Sequence, residues 1–305
     1  MADVIHTPEP PADADAGTVT PGLLRRIIAF PLTLMVIEFA AVVLLASLYS
    51  TAVFHAGMPK DGPLHLLGAL VLAAAIVALW KAMQRWLERR RDGEFALSGA
   101  PSELAIGLGF GFALFSVMTG IVAALGGFEV LGLRGAGAIW PMLAMGVTTS
   151  VFEETLFRGI LFRHLETMLG SWAALAATSG LFGLAHLSNP DSSAFAAFAI
   201  AMEAGILLGA AYMLTRRLWL AIGIHAAWNF TQGWVFSVPV SGGDAPLGLL
   251  ITRRVGPEWL TGGDFGLEAS VVAMIVATIA GVAMLARAIG KGRLVGPMWV
   301  NSAAE

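Results

Sequence analysis

Long apolar runs constrain this chain more than any other feature of its sequence. A helix needs about 20 mainly apolar residues to cross a bilayer, and about eight such runs occur among the 305 residues. They cover residues 27–54, 64–83, 104–125, 139–162, 172–187, 194–214, 218–236 and 267–289. Only 13% of the residues are charged, whereas a soluble domain has roughly 25%. The sequence therefore predicts an all-α, polytopic transmembrane bundle of about eight spans.

The distribution of lysine and arginine predicts how these spans are oriented. Basic residues fall mainly in alternate connections, for example at 89–91 after the second span and at 216–217 after the sixth. Cytosolic loops carry the excess of positive charge, so both termini are expected in the cytosol. We expect a multi-pass protein of the plasma (inner) membrane of a bacterium. Arg253 and Arg254 break the pattern, because they lie in the long outer loop 237–266.

Composition also divides the chain. Residues 1–22 are rich in Pro, Ala and Asp, which predicts a disordered N-terminal tail. We expect N-terminal transmembrane helices over 23–137, a catalytic transmembrane core of spans four to seven over 138–236, and an outer loop, last span and C-terminal tail over 237–305.

The chain has no cysteine, which excludes disulfides and thiolate sites. It has no extended basic patch that would indicate a nucleic-acid partner.

Ionisable and amide side chains interrupt three of the apolar runs. An ion near the middle of a bilayer costs about 2.5–3.5 kcal/mol on insertion scales, so such residues indicate a functional site by default. They are Glu153, Glu154 and Arg158 in the fourth run, His186 in the fifth, and His225 and Asn229 in the seventh.

The spacing of these residues predicts what they can do together. Glu153 lies 17 residues before Gly170 and His186 lies 16 after it. A helical hairpin that turns at Gly170 brings both to one level, at about 1.5 Å per residue. A carboxylate and an imidazole at one level can share a water molecule and act on it as a general base. We expect this site in the cytosolic half of the bilayer.

Two further pairs have the i, i+4 spacing that places side chains on one helix face. His225 and Asn229 both donate hydrogen bonds and together can stabilise an oxyanion in a pocket of low dielectric. Glu154 and Arg158 can form an ion pair that offsets the cost of burying either charge. Glu203, in the sixth run, can be a structural polar contact, a residue that supports the site or a part of the site, and the first interpretation is favoured.

These residues form three motifs, which lie in order in the fourth, fifth and seventh runs. They are EExxxR at 153–158, FxxxH at 182–186 and HxxxN at 225–229. Over residues 139–236 the chain resembles the CPBP family of CAAX proteases and bacteriocin-processing enzymes, which includes the type II CAAX prenyl endopeptidases. The resemblance implies an intramembrane glutamate protease and a membrane-associated peptide or protein substrate.

The resemblance also implies a role for each motif residue. Glu153 would activate the attacking water, with His186 assisting. His225 and Asn229 would form the oxyanion hole, and Glu154 and Arg158 would organise the site. No cofactor is expected.

The residues themselves leave three alternatives open. Glu153, His186 and His225 can supply three ligands to a catalytic zinc, although the helical HExxH spacing is absent. The polar cluster can bind a partner without cutting it, as in a membrane immunity protein. Buried glutamate and histidine also serve as proton relays in transporters, although no inverted repeat supports that reading.

Overall fold

A computed structural model describes residues 22–59, 61–91 and 93–301 of the chain. The predicted disordered tail lies outside the described residues except for Gly22. The described residues are mostly helical, as predicted. The α-helices are α1 (Leu23–Ile28), α2 (Pro31–His55), α3 (Pro63–Ala82), α4 (Ala100–Ala124), α5 (Ile139–Glu154), α6 (Arg163–Leu169), α7 (Ser171–Ala185), α8 (Ala194–Ile200), α9 (Ile206–Thr215), α10 (Trp219–Phe230), α11 (Glu258–Thr261), α12 (Val271–Gly290) and α13 (Met298–Asn301).

Short segments with wider or tighter turns extend or join several of these helices. π-helical segments are Met83–Leu87 after α3, Thr155–Phe162 between α5 and α6, Ala201–Gly205 between α8 and α9, and Thr231–Val235 after α10. Short 3₁₀ turns are His186–Ser188 after α7 and Leu267–Ala269 before α12. π-Helical turns occur frequently at functional sites, and two of these segments carry Arg158 and Glu203.

Five helical segments in the described part of the chain are long and apolar enough to cross a membrane. They are Pro31–His55, Pro63–Leu87, Ala100–Ala124, Ala194–Thr215 and Val271–Gly290. They correspond to the first, second, third, sixth and eighth predicted spans. The other three predicted spans differ for physical reasons: the fourth carries several charges, and the fifth and seventh form helices of 15 and 12 residues. The count of eight spans stays a prediction.

A two-stranded antiparallel sheet adds to the all-α architecture that the sequence predicts. Strand β1 (Phe128–Leu133) pairs with β2 (Leu250–Arg254), with an irregularity between Val130 and Gly132. In this sheet the Arg253 guanidinium forms an exposed ion pair with Glu129 at 2.6 Å. One of the two arginines that break the charge pattern therefore has a local acidic partner.

The predicted helical hairpin forms, and it turns at Gly170. Gly170 has a φ of +83° and separates α6 from α7. The C-terminal segment packs on this turn, because Ser171 N–H donates to the Val295 carbonyl at 3.0 Å and Val295 N–H donates to Ser171 Oγ at 2.8 Å. The turn is therefore held by a segment more than a hundred residues further along the chain.

Helices α4 and α10 approach closely because glycines face the contact. A Cβ on Gly107 would lie 2.5 Å from the Leu220 carbonyl oxygen, and one on Gly111 would lie 2.5 Å from that of Ile224. Small residues four apart let two helices approach this closely. The close approach fixes the position of α10, which carries His225 and Asn229.

Candidate active site

The Glu153–Glu154 doublet ends α5, immediately before the π-helical segment Thr155–Phe162. Glu154 is completely buried, and its Oε1 accepts a hydrogen bond from Arg158 Nη1 at 3.1 Å. This is the ion pair that the i, i+4 spacing predicts. Removal of one partner from such a buried pair would leave an uncompensated charge.

The guanidinium of Arg158 also holds a neighbouring helix. Its Nη2 donates to the carbonyl oxygens of Ala204 at 2.9 Å and Gly205 at 3.2 Å, at the end of the π-helical segment Ala201–Gly205. Its central carbon lies 4.6 Å from the centre of the Phe182 ring. Arg158 therefore ties three elements together around the carboxylate of Glu154.

His225 approaches both acids of the doublet through different ring nitrogens. Nδ1 lies 2.8 Å from Glu154 Oε1, the same oxygen that accepts from Arg158. Nε2 lies 3.9 Å from Glu153 Oε2. A carboxylate only accepts hydrogen bonds, so Nδ1 carries the hydrogen, and this bond sets the ring orientation.

The two glutamates differ in what surrounds them. The side chain of Glu153 is 23% exposed, whereas that of Glu154 is fully buried. Oε2 of Glu153 is buried and has no hydrogen-bond partner among the described residues. Glu154 therefore forms the ionic and hydrogen-bonded contacts of the doublet, and Glu153 retains an oxygen that can accept a proton.

His186 follows the end of α7 in a 3₁₀ turn. Its Nδ1 lies 2.7 Å from the Phe182 carbonyl oxygen, which only accepts hydrogen bonds. In the neutral ring Nε2 is then the acceptor. The Phe182 ring lies 4.8 Å from the His186 ring and 6.3 Å from the His225 ring, between ring centres. Phe182 therefore lies close to both imidazole rings.

Asn229 is positioned from α5 as well. Its Nδ2 donates to Thr149 Oγ1 at 3.1 Å, and that hydroxyl donates to the Met145 carbonyl at 2.9 Å. The bonds Thr149–Asn229 and Glu154–His225 run in opposite chain directions, as expected for antiparallel helices. Thr149 is a positioning residue that the sequence motifs do not include.

A cavity of about 30 Å³ lies beside these residues, which is the space of roughly one water molecule. His186, His225 and Asn229 all line it, and Phe182 and Trp228 form apolar walls. Glu203 and Glu268 line the same cavity.

The sequence favours Glu203 as a structural contact, and the structure adds that this residue lines the cavity at the site. Glu268 is absent from the sequence motifs, and its only sequence signal is an acid at the start of the last apolar run.

A separate group of possible metal ligands lies at another position. Ligand atoms of Glu38, Glu88 and His164 lie within 4.8 Å of one another. The Arg163 guanidinium lies among them, 2.6 Å from Glu88 and 2.9 Å from Glu38. This group is already neutralised by a fixed cation, and among the described residues Glu153, His186 and His225 do not form such a compact group.

Comparison with known proteins adds one finding. Residues 135–231 match the family described as type II CAAX prenyl endopeptidase Rce1-like. No curated protein and no solved structure gives a significant match to the chain. The matched residues contain all three motifs, and five apolar helices accompany them. The chain is thus an integral membrane protein, and over residues 135–231 it is similar to the Rce1-like family of type II CAAX prenyl endopeptidases.

Proposed function

We propose that this protein is an intramembrane endopeptidase that hydrolyses a peptide bond near the cytosolic face of the membrane. Glu153 activates the attacking water, His186 assists it, and His225 and Asn229 stabilise the oxyanion. The observation that carries this proposal is the difference between the two adjacent glutamates. Glu154 is bonded to Arg158 and His225, whereas Glu153 has a buried oxygen without a partner among the described residues.

Nδ1 of each histidine has a different partner, and this leaves Nε2 of the two rings with different roles. His186 uses Nδ1 on the Phe182 carbonyl, so its Nε2 can accept a proton from water in the neutral ring. His225 uses Nδ1 on Glu154, so its Nε2 donates only when the ring is an imidazolium. Glu154 supports that charged form. His225 therefore acts as a cationic donor to the oxyanion.

The oxyanion hole combines this cation with a neutral amide. Asn229 and His225 line the same cavity from one face of α10. Both are held from α5, by Thr149 and Glu154. Donors that are fixed before the reaction stabilise developing charge without reorganisation, and loss of one costs about 10²–10³ in kcat.

The substrate in this proposal is a membrane-associated peptide or protein. It reaches the site from the bilayer or its cytosolic surface. CAAX-type processing is the family's named activity, and the client of this chain is proposed only at the level of a peptide bond near the membrane. A peptide chain is larger than the cavity of about 30 Å³, so we expect the helices that line it to move apart when the substrate enters.

The test uses the purified full-length protein in liposomes with fluorogenic membrane-anchored peptides. The variants are Glu153→Gln, His186→Ala, His225→Ala and Asn229→Ala, with Glu258→Gln as control because Glu258 is exposed on α11. We expect Glu153→Gln to lose at least about 100-fold in kcat and the control to match the wild type. Full activity in Glu153→Gln would reject the assignment of the base.

The zinc-dependent alternative predicts a different result in the same assay. Dialysis against a strong chelator would remove activity, and zinc would restore it. For water activation by Glu153 alone, we expect activity to be unchanged by the chelator. The non-enzymatic alternative predicts a third result. The wild type and Glu153→Gln would bind a membrane partner with equal affinity, and neither would cleave it.

A further inference from the structure

Two buried acids outside the motifs line the cavity, whereas the Glu153–Glu154 doublet does not. Glu203 lies in the π-helical segment Ala201–Gly205, and Glu268 lies in the 3₁₀ turn before α12. Their residues are 2% and 3% exposed. Both line the cavity that His186, His225 and Asn229 line. A cavity with space for roughly one water molecule brings all of these groups near one small volume.

The hydrogen bonds of the two acids are unequal. Oε1 of Glu268 accepts the backbone N–H of Ser241, and such a bond favours the ionised carboxylate. Oε2 of Glu203 is buried and has no hydrogen-bond partner among the described residues. A carboxyl group buried without donors favours its neutral form. Of the two acids, Glu203 is therefore the one that holds a proton.

The surrounding charges agree with this assignment. Two carboxylates in one site of low dielectric do not both ionise readily. Two cationic groups of the site have partners other than Glu203, since Arg158 binds Glu154 and the backbone of 204–205, and Nδ1 of His225 binds Glu154. His186 uses its Nδ1 hydrogen on a carbonyl. Glu203 therefore has no dedicated counterion among the described side chains that surround the cavity.

Resting on the proposed function, we infer that Glu203 is a neutral carboxylic acid that protonates the leaving amine. Two acids then have opposite tasks. Glu153 removes a proton from water, and Glu203 supplies one to nitrogen. Environments that separate the protonation of two acids are the usual basis of such a division.

The proton balance of the step is complete. The water oxygen bonds to the carbonyl carbon while Glu153 takes one water proton. The C–N bond then breaks, its electron pair stays on nitrogen, and nitrogen takes the proton of Glu203. The proton on Glu153 afterwards returns to the Glu203 carboxylate through water in the cavity. The net reaction is hydrolysis, and it requires no other reactant.

The experiment compares two substrates that differ only in the leaving group. One is a membrane-anchored peptide with an amide at the scissile bond, and the other has a thioester there. An amine must be protonated to leave, whereas a thiol with a pKa of about 8.5 leaves as thiolate. Full-length wild type, Glu203→Gln, Glu203→Asp and the exposed control Glu258→Gln are assayed in liposomes.

We expect Glu203→Gln to lose about 10²–10⁴ in kcat on the amide and to stay within about tenfold of wild type on the thioester. The ratio of the two rates is measured within one preparation, so a partly unfolded sample does not change it. Glu203→Asp should recover part of the amide rate, because it restores an acid. The control Glu258→Gln should keep both rates.

Three outcomes would overturn the inference. Equal losses on both substrates would show a structural role for Glu203, and an unchanged amide rate in Glu203→Gln would show no role. An inactive Glu203→Gln combined with a Glu203→Asp that hydrolyses neither substrate would also show a structural role. If the wild type cleaves neither substrate, the proposed function itself fails, and that result is distinct from the other three.

Discussion

Oε1 of Glu154 lies 2.8 Å from Nδ1 of His225, across the contact between α5 and α10. The same oxygen accepts from Arg158 at 3.1 Å. One buried oxygen therefore links the EExxxR and HxxxN motifs, and through Arg158 it also reaches Phe182 of the FxxxH motif. The second acid of the doublet connects the three motifs, and this leaves the first acid for chemistry.

Substitution of the second acid should mainly affect stability. Glu154→Gln leaves the buried Arg158 without its counterion, so we expect the free energy of unfolding to fall by about 3–5 kcal/mol. Glu153→Gln removes no ion pair of that quality and should lower it by less than about 1 kcal/mol. Thermal unfolding in detergent measures both. Equal melting temperatures for the two variants would contradict the division of roles.

Thr149 should act on the reaction through Asn229. Thr149→Val keeps the shape of the side chain but removes the acceptor that holds Asn229 Nδ2. We expect kcat to fall by about tenfold, less than the 10²–10³ that follows loss of an oxyanion donor, with KM nearly unchanged. Thr149→Ser keeps the hydroxyl and should restore kcat. A Thr149→Ser variant as slow as Thr149→Val would show that packing, and not the hydrogen bond, is responsible.

The contact between α4 and α10 should tolerate no added methyl group at Gly111. A Cβ there would lie 2.5 Å from the Ile224 carbonyl oxygen, so Gly111→Ala must displace α10 with His225 and Asn229. We expect a loss of about 1–3 kcal/mol in stability and a larger loss of activity.

Gly109 on the same helix provides the matched control. Nothing lies within 4 Å of a Cβ at that position. Gly109→Ala should therefore be neutral, or more stable by up to about 1 kcal/mol from helix propensity. The pair is compared by thermal unfolding and peptide hydrolysis. A Gly111→Ala variant that is as active and as stable as Gly109→Ala would contradict the close packing of the two helices.

Acid should remove the stabilising contributions of two groups beside Arg163, which lies beyond the end of the fourth predicted span. Burial, and after it the charge of Arg163, lowers the pKa of His164 to about 3. Burial by itself would raise the pKa of Glu88, but hydrogen bonds and the charge of Arg163 outweigh it and hold that pKa at about 2. Both groups bind fewer protons folded than unfolded, so the contribution of each to stability falls as pH falls.

His164 and Glu88 lose their contributions to stability over different pH ranges. The contribution of neutral His164 is present above its ordinary value of 6.5 and is lost as pH falls towards 3. That of the Glu88 carboxylate is present above 4.5 and is lost towards 2. Melting temperatures of wild type and His164→Gln from pH 7.5 to 4 test this, and we expect a shallower decline in the variant. Identical slopes would show that His164 does not remain neutral in the fold.

The sequence by itself determined the membrane class, the hairpin turn at Gly170 and the pairing of Glu154 with Arg158. Each of these depends on local composition or on residues within one helical turn, where spacing fixes geometry. The spacing of Gly107 and Gly111 also indicates that another helix packs closely against them. It does not indicate which helix that is.

Only the tertiary structure decided which residues meet across helices. That Glu154, and not Glu153, binds His225 depends on the rotation of α10 against α5. Thr149 and Glu268 join the site through contacts between residues 80 apart in the chain and through a turn before the last span. The pairing of β1 with β2 is equally distant in sequence. Such contacts arise from the packing of whole helices, and no local pattern encodes them.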